Sequence, residues 1–236
     1  MGRGQADGSS YIDNLNLGRF FSDPGALLIH LLGLDYVPNY FDILPMYMVL
    51  LAMMPVMLVA EWVHRMLPLM LMAGMLLLAQ FHLLQISAEP WSDRPWFFNP
   101  FGWQLLFFSG FFIMRGTLPT PPVMRWLMWV AVVLVIATVP FAWYLVLDNF
   151  PRLRSVVTAI QPLIDKTPFG LLRYVHFLCL AYIAICLVGL GGEHLKHRMV
   201  YPVSRVLMKV GQQSLAVFIT SMVLAQFIGI WLDAAG

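Results

Sequence analysis

Long apolar runs separated by short polar stretches recur along the 236 residues. A helix of about 20 consecutive apolar residues crosses the hydrocarbon core of a bilayer. On that template the runs predict six spanning helices, over residues 43–62, 66–84, 101–114, 126–147, 171–190 and 206–232. The third is short for a span unless 96–99 joins it. A further apolar stretch, 26–37, opens after Pro24 and Gly25, carries His30 and Asp35 and stops at Pro38. Its length suits an interfacial or re-entrant helix better than a full crossing. Pro45, Pro55, Pro68 and Pro140 fall within or beside apolar runs, where neighbouring helices satisfy the carbonyls that a proline frees, so kinks are expected there. The fold class read from this pattern is all-α, a polytopic membrane helix bundle. Residues 1–23 read as a polar segment, poorly ordered at its start, ahead of one transmembrane domain over 24–236. The connections are short except for 148–170, and no internal repeat is visible.

Composition agrees with a lipid-embedded surface. Hydrophobic residues make up 60% of the chain and charged residues 11%, against roughly 25% charged in a soluble domain, and the mean hydropathy is +0.77. A formal net charge of +2 is too small for a nucleic-acid binder, and the basic residues are scattered at helix ends. Cys179 and Cys186 lie seven apart in one apolar run, which in a helix separates them by roughly 10 Å, beyond disulfide reach.

Basic loops stay on the cytoplasmic side. Arg65, then Arg115 and Arg125, then Lys196, Arg198, Arg205 and Lys209 mark alternate connections. The opposite connections carry Asp35 and Asp42, then Glu89, Asp93 and Arg94, then a mixed segment with Asp148, Arg152, Arg154, Asp165 and Lys166. Both ends of the six-helix block are thereby expected outside, with Trp91, Trp96 and Trp103 as an aromatic belt. Residues 1–10 are polar and suit neither a cleavable signal nor a first anchor. An outside start with no preceding span leads to the expectation that further helices belong ahead of this chain.

Ionisable and amide groups inside apolar helices are costly unless paired or solvated, so they mark candidate sites. Asn39, Tyr40, Phe41 and Asp42 precede the first helix, where Asp42 serves either as a ligand group or as a helix-terminal charge. In WFFNPFGWQ, residues 96–104, Asn99 before Pro100 is a helix-start signal, whereas capping does not account for Gln104. Lys166, Arg173 and His176 lead into an apolar helix, and the last two, three apart, share a face. An arginine at a helix N-terminus opposes the helix dipole and calls for an acidic partner or an anionic ligand, although ion pairing and snorkelling to the interface explain such residues too. Gln212, Gln213, Thr220 and Gln226 read mainly as interhelical glue. His64, His82, His194 and His197 lack metal-ligand spacing, and no metal site is expected.

Four strings carry a resemblance: PNYFDILPMYMVLLAMMP (38–55), PWFFNPFGWQLLF (95–107), DKTPFGLLRYVHFLCLAY (165–182) and GQQSLAVF (211–218). Together they resemble the OpgC family, membrane succinyltransferases of osmoregulated periplasmic glucans related to the type-three membrane acyltransferases. The chain resembles the C-terminal part of that family. Members begin with a helix patterned R-D-x-x-R-G followed by a histidine regarded as the catalytic base; no such pattern occurs here. Gln213 stands where the family often has histidine. The resemblance implies a multi-pass protein of the bacterial inner membrane that takes an acyl group from a succinyl-CoA-like thioester to a glucan hydroxyl, with no tightly bound cofactor. The lipid bilayer, a saccharide acceptor and helices on another chain are the implied partners, and the chain is expected to be inactive alone. Substrate-binding candidates are Asp42, Asn99, Gln104, Lys166, Arg173 and His176, the last also a candidate for the base.

Two other classes fit the same residues. Prolines, glutamines and an arginine inside helices are natural in a small-solute transporter, which inverted repeats would favour. A non-catalytic scaffold would pair Arg173 and His176 with each other rather than aim them at a cavity.

Overall fold

The computed structural model describes residues 12, 15–39, 41–189 and 201–235. The predictions that fall on Tyr40, Leu190, His194, Lys196, His197 and Arg198 lie outside the described residues. Two compact units divide the chain, Ile12–Tyr182 and a unit that includes Ile183–Gly236.

In the larger unit a short α1 (Gly18–Ser22) leads into α2 (Pro24–Leu32), whose N-terminal Ala26 amide is capped by the Asp23 carboxylate at 3.3 Å. Nine residues make α2 about 14 Å long, too short to cross the bilayer. Three packed helices follow: α3 (Ile43–Val63), α4 (Leu67–Gln80) and α5 (Pro100–Met114). Met57 of α3, Met72 of α4, and Phe108 and Phe112 of α5 form their buried centre. Burying side chains of this size contributes about 1.5–3 kcal/mol each. Proline stands at the start of α4 and of α5, where its missing N–H costs nothing, and α3 runs on through Pro55.

Sequence periodicity missed a hairpin between α4 and α5. Antiparallel strands β1 (Ser87–Glu89) and β2 (Ser92–Pro95) pair Glu89 with Ser92. Beneath them Val37, Ala88 and Trp96 pack into a second buried cluster, with the Trp96 indole donating to the Ser87 carbonyl at 3.0 Å. At the far end of the three helices Arg115 pairs with Glu61 at 2.8 Å, Thr117 donates its hydroxyl to Glu61, and Arg65 donates to the Thr117 carbonyl.

Beyond α5 lie α6 (Arg125–Ala142), α7 (Tyr144–Asn149), α8 (Pro151–Ala159), α9 (Gln161–Ile164) and α10 (Leu171–Val188). The run expected as one helix over 126–147 breaks at Trp143, whose extended backbone (φ −98°, ψ 110°) separates α6 from α7. Pro140 lies three residues earlier and removes an amide from the last helical turn. In the second unit, α11 (Tyr201–Gln212) and α12 (Ser214–Ala235) replace the expected single helix over 206–232, with Gln213 between them.

Four of the described helices are long and apolar enough to cross a membrane: α3, α6, α10 and Ser214–Leu232 of α12. The remaining two expected spans are shorter, 14 residues in α4 and 15 in α5. The 66–84 run stops early because His82 takes a left-handed backbone (φ 58°) and the chain turns into the hairpin.

Candidate functional site

Chemistry-bearing side chains gather around three structures: a clamped loop, a groove and the hairpin. The loop is 165–170, between α9 and α10. Asp165 Oδ1 accepts from the Thr167 amide at 3.0 Å and the Gly170 amide donates to the Asp165 carbonyl at 2.9 Å, closing a tight turn in which Phe169 has φ 55°. The carbonyls of residues 166–169 each meet a donor from α4, from α5 or from Asn99, the residue that caps α5. The Trp103 indole donates to Lys166 O at 3.0 Å, the Asn99 amide to Thr167 O at 3.1 Å, and Gln80 Nε2 to Pro168 O and Phe169 O at 3.3 Å. The backbones approach so closely at Gly102 that a Cβ there would stand 2.0 Å from the Pro168 carbonyl oxygen.

This clamp leaves two cations presented beside it. Arg173 spends its Nε on the Ile164 carbonyl at 2.6 Å, while its terminal nitrogens, like the exposed Lys166 ammonium, make no hydrogen bond or ion pair with any described residue. A guanidinium fork held by its inner nitrogen is suited to bind a carboxylate or phosphate through the outer pair.

Asn99 and Gln104 lie deeper. Asn99 caps α5 by accepting from the Phe101 amide at 3.0 Å and donates to the Leu84 carbonyl at 2.6 Å. Gln104, fully buried, donates to the Met72 carbonyl of α4 at 2.8 Å. Its Oε1 has no hydrogen-bond partner among the described residues. Each amide nitrogen is thus already engaged, that of Gln104 tying α5 to α4 and that of Asn99 tying the start of α5 to the connection that follows α4.

His176 points elsewhere. It lines a groove of about 490 Å³ together with Val135, Thr138, Val139, Ala142 and Trp143. Thr138 Oγ1 lies 3.2 Å from His176 Nδ1 and donates its one proton to the Val135 carbonyl at 2.7 Å. With that proton committed, the hydroxyl accepts from His176, which assigns Nδ1–H to the neutral ring and leaves Nε2 as an acceptor. Arg173 and His176 therefore share a helix face but have separate partners, Ile164 and Thr138. Tyr182, in the C-terminal half of α10, donates to Pro122 O at 2.7 Å and accepts from the Met124 amide at 2.9 Å.

Asp42 meets the segment that follows the hairpin. Buried at the start of α3, it accepts from the Phe97 amide at 3.3 Å. Burial pushes its carboxyl above the ordinary 3.8, against the pull of that hydrogen bond and of Arg94. Glu89 lies nearby with Asn16 and Ser92 donating to it and Arg94 at 3.6 Å. Burial acts to raise its carboxyl, but the hydrogen bonds from Ser92 and Asn16 and the Arg94 charge outweigh it and hold the carboxyl below the ordinary range.

A family model described as OpgC protein matches residues 2–236. The chain belongs to the OpgC family. Neither the curated proteins nor the solved structures yield a match. The geometry gives two of the OpgC-like strings a shared purpose: 95–107 supplies Asn99, Gly102 and Trp103, and 165–182 supplies the loop they clamp, together with Arg173 and His176. Thr138 and Trp143 lie outside those strings and were not singled out from sequence; a lone hydroxyl inside an apolar run was the available signal for Thr138.

Proposed function

We propose that this OpgC-family chain serves acyl transfer at the membrane, moving a succinyl or related acyl group from a succinyl-CoA-like thioester to a hydroxyl of a periplasmic glucan. The sugar oxygen attacks the thioester carbonyl, the new ester C–O bond forms as the C–S bond breaks, the thiolate leaves and the hydroxyl proton passes to a base. The observation that carries this reading is the His176 ring, held at Nδ1 by Thr138 so that Nε2 is free to accept from a hydroxyl beside the groove. His176 orients the acceptor. The outer nitrogens of Arg173 and the Lys166 ammonium take a succinyl carboxylate or donor phosphate. The base is assigned to the R-D-x-x-R-G and histidine segment of the family, a pattern not found in these 236 residues.

Arg173→Lys in an active full-length relative tests the assignment. Activity is expected to fall strongly while expression holds, because a point charge replaces a bidentate fork. Loss of folded protein in step with activity would instead make Arg173 a strut for the 161–165 segment.

A further inference from the structure

Helix α11 carries chemistry that acyl transfer leaves unused. At 100° per residue, Val203, Val206, Leu207 and Val210 fall on one arc, and Arg205, Lys209 and Gln212 on the opposite one. The four apolar side chains are 59%, 59%, 60% and 42% exposed. Twelve residues give α11 a length of about 18 Å, well short of a roughly 30 Å hydrocarbon core. Helix α12 has 22 residues, about 33 Å, and needs no help to cross. Gln213 interrupts the helix, with i→i−4 backbone hydrogen bonds on either side of it, from the Gln213 amide to Lys209 O at 3.0 Å and from the Val217 amide to Gln213 O at 2.9 Å, so α11 adjoins the first turn of a helix long enough to span, and the end of such a helix stands at headgroup level.

A helix with an apolar arc facing a polar, cationic one is stable at that level when it lies flat, the valines and leucine sunk about 5–10 Å into the acyl boundary and the Lys209 ammonium among the phosphates. We propose that α11 is an in-plane docking surface for anionic phospholipid, with Val203, Val206, Leu207 and Val210 as the buried side and Lys209 as a headgroup contact on the Arg205 side of the helix. The Lys209 charge favours an anionic leaflet over a zwitterionic one. The surface stands independently of the acyl-transfer reading.

The test uses the full chain, with Cys179 and Cys186 replaced by alanine, in phosphatidylcholine nanodiscs with and without phosphatidylglycerol. A nitroxide on Leu207→Cys should collide with oxygen far more than with a water-soluble nickel reagent. Protection from both reagents would place the arc against protein, and preferential collision with nickel would place it in water; either overturns the proposal. Native mass spectrometry should show retained phosphatidylglycerol favoured over phosphatidylcholine. Lys209→Gln should weaken that preference about fivefold, the effect of roughly 1 kcal/mol per basic residue near an anionic surface, and Lys209→Arg should restore it. No lipid preference in the parent chain, or one that Lys209→Gln leaves intact, would remove the headgroup contact.

Discussion

Gly102 and Gly170 stand where no side chain fits: a Cβ would lie 2.0 Å from Pro168 O in one case and 2.2 Å from Leu163 O in the other, both backbone atoms. Gly102→Ala and Gly170→Ala should each cost about 1–3 kcal/mol, the range for overpacking, whereas Gly74→Ala, with nothing within 4 Å, should be neutral or slightly stabilising. Thermal unfolding in detergent reads the difference, and equal behaviour of the three variants would contradict the clamp. Asp42 gives a second test at this scale. Its carboxyl is raised in the fold, so its contribution to stability is complete below the ordinary value of 3.8 and is lost as pH rises through the raised value. Asp42→Asn keeps an oxygen for the Phe97 amide and should flatten the fall of melting temperature above pH 3.8. Glu89 runs the other way: its stabilising effect holds above its ordinary value of 4.5 and fades as pH falls through its lowered one, so Glu89→Gln should cost stability at neutral pH and nothing in strong acid. Single residues were partly legible in sequence. Asn99 before Pro100 marked a helix start because capping is a local matter, and the structure has that cap. The Thr138 partner of His176 was not legible, since 38 residues separate the two and no local spacing encodes the meeting of separate helices.

Elements were legible where apolar length alone decides them. Helices α3, α6, α10 and α12 lie on runs marked by hydrophobicity, and Cys179 and Cys186 remain free thiols on one of them. The hairpin escaped because SAEPWSDRP is short, polar and interrupted by proline, and its strands exist through the buried Trp96 rather than through an alternating pattern. Amphipathic α11 escaped because it runs into a longer apolar stretch that dominates any averaged profile. One tether between elements is open to direct measurement. Tyr182→Phe removes the hydroxyl that bonds Pro122 O and the Met124 amide, and should cost about 1–2 kcal/mol by leaving a backbone amide unpaired. An unchanged melting temperature would show that the start of α6 does not depend on α10.

On the scale of the whole molecule, the larger unit separates its chemistry by end. Glu61, Arg65, Arg115 and Thr117 join one end of the α3–α5 group, while the hairpin, Trp103 and the 165–170 loop occupy the other. By the loop-charge rule the first end is expected on the cytoplasmic side. With Cys179 and Cys186 removed, Asp93→Cys should accordingly react with an impermeant maleimide added outside intact cells and Thr120→Cys should not; the reverse pattern would invert the topology. The most direct test of the acyl-transfer account is transfer of labelled succinyl from succinyl-CoA to a periplasmic glucan in proteoliposomes that hold this chain together with a family segment bearing the R-D-x-x-R-G and histidine pattern. Transfer is expected only with that segment present, and His176→Phe should lower it roughly tenfold, the loss of one hydrogen bond of about 1–1.5 kcal/mol, without lowering the melting temperature. Robust succinylation by this chain alone, or transfer indifferent to both His176→Phe and Arg173→Lys, would contradict it.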